Sequence, residues 1–430
     1  MNAPNETLEP PKTLRPRPKL GLGNAWIGQE EELLVSQVLR TKRPFRYTYD
    51  LAPEEQGTMT ATLERETREK MQVGYALAVT SGTAALETAL AALGIGPGDE
   101  VIVPAWSWVS CFTSVVRMGA LPVLAEIDET FCLAKGEITR LVTPRTKAVM
   151  VLHYQGVAAD MDDLMAEARA AGIRVIEDCA QSIGATYRGR HAGTIGDIGI
   201  YSYQFQKSIT SGEGGMVVTQ DARLYERAVR FHDLGFLRPH HALFVTPECG
   251  DFCGAQYRMN ELTGAVALAQ FRKLDKMRAH CRALSRRILS GINDLPGLEF
   301  RRIPDPDGDS GFEIYFCLES ADLAQEFSRQ LHARNVNCSK MTGTYCQYER
   351  GYCKNRATYH PASSPFAKFT EWPAPGYRAE DFPKTEALVH RFVSLPLGVL
   401  YTGDDADYIT ETVREVHREI FAANGHIALE

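Results

Sequence analysis

From residue 75 onward, short apolar runs alternate with stretches whose apolar positions recur at helical spacing. Residues 76–80 read as a strand leading into Ser81-Gly82-Thr83 and then a helix over 84–93. The pattern repeats: strand 101–104 and helix 108–118, strands at 122–127 and 148–153, helix 161–171 and strand 175–178. Further strands are predicted at 198–202 and 216–219. Upstream, Leu33, Val35 and Val38 lie in a predicted helix over 23–40. Strands that are apolar throughout and alternate with helices build a largely parallel sheet covered on both faces, an α/β fold. After Asn260 one long amphipathic helix is expected to run to about 289. The segment Asp305-Pro306-Asp307-Gly308-Asp309 then precedes a smaller α+β region with a strand at 312–318 and a helix at 322–334. The expected organisation is a flexible arm (1–22), a large domain (23–285) and a small C-terminal domain (286–430).

The bulk numbers narrow the class. The chain has 430 residues, 44% hydrophobic and 23% charged, enough for two domains and a large core. A net charge of −7 argues against a nucleic-acid or acidic-membrane partner. Apolar stretches are short and broken, so no membrane span is expected, and the polar N-terminus has no signal-peptide core; both point to the cytoplasm. The ten cysteines are scattered, and Cys111, Cys179 and Cys317 fall in apolar contexts suited to a reducing compartment. Cys249, Cys253, Cys346 and Cys353 fit no usual zinc spacing, and no metal site is expected.

Candidate chemistry gathers at strand ends. Ser81-Gly82-Thr83, where a strand meets a helix, offers free N–H groups and a positive helix end for a phosphate, although taken alone it reads first as a plain N-cap. Asp178 closes a buried strand at the crevice where α/β proteins bind ligands. Such an acid keeps a pyridine nitrogen protonated, while a helix cap or ion pair is the competing reading. Trp108 could stack on a flat ring or simply pack. Ser202 could add a hydroxyl to a phosphate. Lys207 follows in Tyr201-Ser202-Tyr203-Gln204-Phe205-Gln206-Lys207, ahead of a Gly212-Glu213-Gly214-Gly215 turn. Phosphate cradle, acid and amine, in that order, are the parts that hold pyridoxal phosphate.

Ser81-Gly82-Thr83-Ala84-Ala85, Gly98-Asp99-Glu100-Val101-Ile102-Val103-Pro104 and Ile176-Glu177-Asp178-Cys179-Ala180-Gln181 together resemble the DegT/StrS-type sugar aminotransferases, a branch of the fold-type I pyridoxal-phosphate enzymes. Gly196-Asp197-Ile198-Gly199 and Gly212-Glu213-Gly214-Gly215 extend the resemblance, which runs from about Trp26 to Ser394-Leu395-Pro396-Leu397. The resemblance implies Lys207 as the Schiff-base lysine and proton shuttle and Asp178 as the partner of the pyridine nitrogen. It places Gln181 beside the 3-hydroxyl, Trp108 on the ring, and Gly82, Thr83 and Ser202 on the phosphate. It implies a homodimer with shared active sites, in which an asparagine reaches the neighbour's phosphate. Here that segment reads Gly254-Ala255-Gln256-Tyr257-Arg258-Met259, with Gln256 in place of the asparagine.

The implied reaction is transamination from glutamate or glutamine to a keto or aldehyde group of a sugar, sugar acid or cyclitol, with pyridoxamine phosphate as the intermediate carrier. A dehydratase of the same fold would carry histidine in place of Lys207. Elimination, decarboxylation and a non-catalytic cofactor-binding protein are the remaining alternatives. Stretches such as 126–130 and 193–199 are similar to enzymes that aminate an eight-carbon sugar acid, and the lysine loop to glutamine-dependent aminocyclitol enzymes. Residues 232–252, with His240 and His241, and 342–360 are expected either to shape the acceptor pocket or to be surface loop. Arg238, Lys354 and Arg356 are too dispersed to define a nucleotide site.

Overall fold

The computed structural model describes residues 15–47, 58–339, 345–368 and 377–423. Its centre is a seven-stranded sheet built from β1 (Tyr75–Val79), β2 (Glu100–Pro104), β3 (Leu121–Ala125), β4 (Thr146–Leu152), β5 (Arg174–Asp178), β8 (Ile198–Ser202) and β9 (Gly215–Thr219). A short hairpin, β6 (Thr186–Tyr187) and β7 (Arg190–His191), lies between β5 and β8. The order is β1-β9-β8-β5-β4-β2-β3. Neighbours from β3 to β8 pair in parallel, and β9 runs antiparallel to both β8 and β1. The sheet is therefore mixed but mostly parallel, and β1 points the same way as β8. Nearly every strand residue is buried, as a sheet covered on both faces requires.

The apolar runs locate the strands within a residue or two. The exception to the helix pattern is at the start, where the expected 23–40 helix is a 3-10 turn (Gly23–Trp26) followed by a helix over Gln29–Thr41. Gly28 interrupts them in an extended conformation, and its N–H donates to Glu31 Oε2 at 2.8 Å, which starts the second helix. The helix Met59–Met71 and the β6–β7 hairpin also carry no expectation from the pattern.

The helix Glu261–Ile292 spans two cores. Phe271, Leu274, Met277 and Cys281 pack against the large sheet, whereas Leu284, Ile288 and Ile292 join a second cluster. That cluster lies under a three-stranded antiparallel sheet of β10 (Glu299–Phe300), β11 (Glu313–Cys317) and β12 (Phe392–Pro396), with the helices Ala321–Ala333 and Gly403–Ala423. Arg301, after β10, bridges the cores by donating to Thr130 O at 2.7 Å and Tyr154 O at 2.9 Å. Residues 305–309 dock on the hairpin, with Thr186 N–H donating to Gly308 O and Arg188 N–H to Asp305 Oδ2.

A buried polar chain supports the end of β1. His232 Nδ1 lies 2.5 Å from Val229 O; a carbonyl only accepts, so Nδ1 carries the proton and Nε2 accepts from Tyr47. Tyr47 accepts in turn from His241 Nε2 at 2.8 Å, and His241 Nδ1 accepts from Tyr225 at 2.7 Å. His232 O holds Tyr257 N–H, and Tyr257 O holds Thr80 N–H, the residue before Ser81. Burial lowers the His232 pKa from 6.5 to about 3, with the Arg46 charge acting in the same direction. The unfolded chain therefore takes up a proton below pH 6.5 that the folded chain refuses, and stability falls as pH drops through that window. Between pH 7 and pH 5 His232 alone should remove about 2 kcal/mol of stability. Urea unfolding at both values measures it, and a His232→Gln variant should show a shallower pH slope.

Candidate active site

Every sheet element at the site presents its carboxyl end. β1 runs into Ser81, β2 into the segment carrying Trp108, β5 ends on Asp178, and β8 ends on Ser202. That is the edge where open α/β sheets bind ligands. A cavity of about 310 Å³ opens there, lined by Ser81, Gly82, Thr83, Trp108, Asp178, Gln181, Ser202 and Lys207. Ser110, Gln204, Gln206, Glu213 and Tyr345 complete its polar wall and mouth.

The helix Gly82–Ala92 begins at the cavity. Ser81 Oγ accepts from Ala84 N–H at 3.0 Å and Ser81 O from Ala85 N–H, which leaves the Gly82 and Thr83 amides outside the helix's own ladder. Gly82 presses on the end of β8: a Cβ there would lie 2.9 Å from Ser202 Cβ and 3.0 Å from its Oγ. Thr83 Oγ1 is 2.8 Å from Ser110 Oγ. The hydroxyls of Thr83, Ser110 and Ser202 and the two amides thus line one cavity at a positive helix end, a setting suited to a phosphate. The capping reading of Ser81 also holds; cap and cradle use different groups of the same turn.

Asp178 is buried, with Oδ1 accepting from Ala180 N–H at 2.9 Å and Oδ2 from the Cys111 thiol at 3.1 Å. Its neighbour Glu177 points the other way and accepts from His153 Nε2 and the amides of Gly193, Ile195 and Gly196. Burial pushes the Glu177 carboxyl up, but these donors outweigh it and hold the group below the ordinary carboxylate range. Gln181 lines the cavity, and its buried Oε1 has no hydrogen-bond partner among the described residues.

Lys207 is half-buried, and desolvation lowers its pKa, opposed mainly by the Asp178 carboxylate and by Cys111 and Glu213. Its loop is pinned at both ends of the peptide unit: Lys207 N–H donates to Gln204 O at 2.9 Å, and Lys207 O accepts from Gly23 N–H at 3.3 Å. The segment before Gly23 continues along residues 335–337 and 399–405. Gly21 O accepts from Val399 N–H, Asn335 and Asn337 donate to Arg15 O and Pro18 O, and Arg15 pairs with Asp405.

Seven of the sequence-derived candidates, Gly82, Thr83, Trp108, Asp178, Gln181, Ser202 and Lys207, meet in this cavity. Gln256 stands outside it, exposed, bridged to Asp233. Tyr345 comes from the stretch expected near the acceptor, and its ring sits 5.7 Å from Trp108. Residues 232–252 do not line the cavity; His241 is buried in the tyrosine chain and Arg238 pairs with Asp233. Ser110 and Glu213 carried no expectation as site residues and Cys111 only that of a small core residue, although Ser110 follows Trp108 by two residues and Glu213 lies inside the glycine turn. Cys111, Cys179 and Cys317 are buried as expected. Among the described residues no helix is long and apolar enough to cross a membrane.

Residues 52–414 match the DegT/DnrJ/EryC1/StrS aminotransferase family. The chain belongs to that family. A curated relative, the GDP-perosamine synthase of Escherichia coli O157:H7, is 30% identical over 364 residues, 84% of this chain and 91% of its own length. Among solved structures, 3-amino-5-hydroxybenzoic acid (AHBA) synthase superposes with a TM-score of 0.76 at 26% identity, covering 93% of this chain and 99% of its own. DesV of S. venezuelae, solved with a ketimine intermediate, gives 0.76 at 28% identity, with 94% and 99% covered. The protein is accordingly an aminotransferase of the pyridoxal-phosphate-dependent kind. The family member's site also fits that group on its own terms: a cradle that a single Cβ at Gly82 would fill, a buried acid, an orphaned acceptor on Gln181 and a desolvated amine.

Gly82→Ala would push Ser202 out of the cradle while leaving the helix free to form. We expect apo-enzyme of this variant to unfold near the wild-type temperature but to bind pyridoxal phosphate at least tenfold more weakly, read by equilibrium dialysis.

Proposed function

We propose that this aminotransferase moves an amino group from glutamate or glutamine to a keto or aldehyde carbon of a sugar, sugar acid or cyclitol, in the making of an amino sugar. The observation that carries the reading is the meeting of Lys207, Asp178 and the Gly82–Thr83 helix start in one cavity. The amino sugar and aminated ring products in the relatives' names support the acceptor class.

Pyridoxal phosphate, when bound, supplies an electron-withdrawing ring that accepts the electron pair left when a proton departs from the carbon bearing the amino group. The protein's part is to hold and to move protons. Gly82, Thr83 and Ser202 would hold the phosphate, Asp178 the ring nitrogen, Gln181 Oε1 the 3-hydroxyl side and Trp108 a ring face. Asp178 is held rigid by its two donors, so it needs no rearrangement to keep the ring nitrogen protonated. Lys207 Nζ would hold the cofactor's aldehyde carbon and, once freed, would be placed to take a proton from the donor's α-carbon and, in the second half-reaction, to give one to the carbon being aminated. Its lowered pKa gives it a larger neutral fraction near neutrality than an exposed lysine, which general-base work requires. Donor and acceptor would enter in turn past Trp108 and Tyr345 at the mouth, giving ping-pong kinetics.

The working unit in this reading is a cytoplasmic homodimer with shared sites. Gln256 is exposed outside its own cavity, and the exposed side chains of Phe205, Leu234 and Phe236 offer apolar surface on the lysine loop and on the loop paired with Ala255. Gln256 would then reach the phosphate bound by the second copy.

Lys207→Ala should lower turnover by about a thousandfold or more, an effect in the range of an essential base and nucleophile. Release of 2-oxoglutarate from glutamate, or of the corresponding keto acid from glutamine, with mass detection of aminated sugar acceptors, tests the reaction; full activity in the variant would exclude Lys207. Gln256→Ala should weaken cofactor binding by at least about tenfold, the loss of one hydrogen bond to a charged group. Mixing Gln256→Ala with Lys207→Ala protein should recover activity through hybrid dimers whose one intact site holds both wild-type residues.

A further inference from the structure

Asp178 meets its future ligand with both carboxylate oxygens already engaged from behind. The amide donor to Oδ1 belongs to Ala180, two residues along the same chain segment, and follows from the turn after β5. The donor to Oδ2 is different in kind. Cys111 is 0% exposed in the first turn of the helix Val109–Arg117, and its thiol reaches 67 residues across the fold to Asp178 at 3.1 Å. Burial raises the thiol's pKa well above its ordinary value, and the Asp178 charge adds to this, so the sulfur keeps its proton and offers it to the carboxylate. The helix is set in place by its own cap, Cys111 N–H to Trp108 O at 3.0 Å, on the residue that lines the cavity.

We propose that Cys111 is a positioning residue for Asp178: its S–H fixes the rotation of the carboxylate and, as a weak donor, leaves Oδ2 electron-rich for the pyridine nitrogen of the cofactor. A carboxylate oxygen has room for two donors, and a weak one on the protein side competes least with the one on the ligand side. The same contact couples Trp108, over the ring face, to Asp178, at the ring edge, because both hang on the start of one helix. This inference rests on the pyridoxal-phosphate site proposed above.

The test compares Cys111→Ser with Cys111→Ala. A hydroxyl keeps a donor at nearly the same place; a methyl keeps the packing and removes the donor. Affinity of apo-enzyme for pyridoxal phosphate, by dialysis, should fall about fivefold in the alanine variant and stay within about twofold of wild type in the serine variant. A residue that matters only for packing predicts the opposite order, since alanine suits an apolar site better than serine. A second readout needs no cofactor. The infrared S–H band isolated by subtracting the Cys111→Ala spectrum from that of the wild-type apo-enzyme should lie below the position of an unbonded thiol, and should rise on Asp178→Asn. Wild-type affinity in Cys111→Ala, equal loss in both variants, or a band indifferent to Asp178→Asn would each overturn the assignment. Failure of the wild-type apo-enzyme to bind pyridoxal phosphate would instead overturn the site, while the infrared band would still report on the thiol–carboxylate contact.

Discussion

The arrangement hangs on one buried carboxylate that does no chemistry. Glu177 has no exposed surface, and an unpaired carboxylate there would cost several kcal/mol. It is tolerated because four donors converge on it: His153 from the end of β4 and the amides of Gly193, Ile195 and Gly196. These bonds tie β4, β5 and the loop before β8 into one block. Since alternate residues of a strand face opposite ways, fixing Glu177 on one side fixes Asp178 on the other. The loop it grips must also pass very close to β8, where a Cβ at Gly199 would meet Gly193 O at 2.2 Å. The acid at the cavity and the strand that carries Ser202 are thus positioned by the same anion.

The cavity then collects its parts by a different constraint, the close approach of backbones. Gly82 must touch Ser202, and a Cβ on Gly215 would lie 2.4 Å from Ser81 O. These two glycines bring the start of a helix, the end of β8 and the start of β9 to one place, and a side chain at either would force its neighbour to shift. Desolvation of Lys207 follows from that crowding. The lysine loop leaves β8 and must return as β9 within a short span, so its amine is carried over the cavity rather than into solvent.

Much of this was legible in the chain because it is local. Apolar runs mark buried strands, and a strand's last residue and the turn after it face the binding edge, so Asp178, Ser202, Ser81-Gly82-Thr83 and Lys207 could be placed without a structure. What was illegible depends on partners distant in sequence. Cys111 reads as a small core residue until its contact with Asp178 is seen, and Glu177 reads as part of an apolar strand because its four donors are scattered over more than forty residues. Tyr345 reaches the mouth through a segment whose pairing, Ser107 N–H to Tyr345 O and Gln347 Nε2 to Ser107 O, no periodicity announces. The early helix failed for a local reason of another kind: Gly28 prefers to start a helix rather than continue one.

The same long-range logic gives the N-terminal arm a meaning beyond tethering. Gly398 has no room for a side chain, since a Cβ would fall 1.3 Å from Leu20 O, and Gly23 has none because Ser208 O would lie 2.4 Å away. The arm is therefore threaded between two tight contacts, one at Gly398 just after β12 and one on the lysine loop, with only Gly21 and Leu22 between Leu20 and Gly23. So short a link leaves little slack between the two contacts. Val399 N–H holds Gly21 O and Gly23 N–H holds Lys207 O, so the backbone after β12 and the lysine loop are tied through three residues of the arm. The lysine loop and the backbone that follows β12 are thus held by one strap, which fixes the amine's loop against the strand that closes the second core.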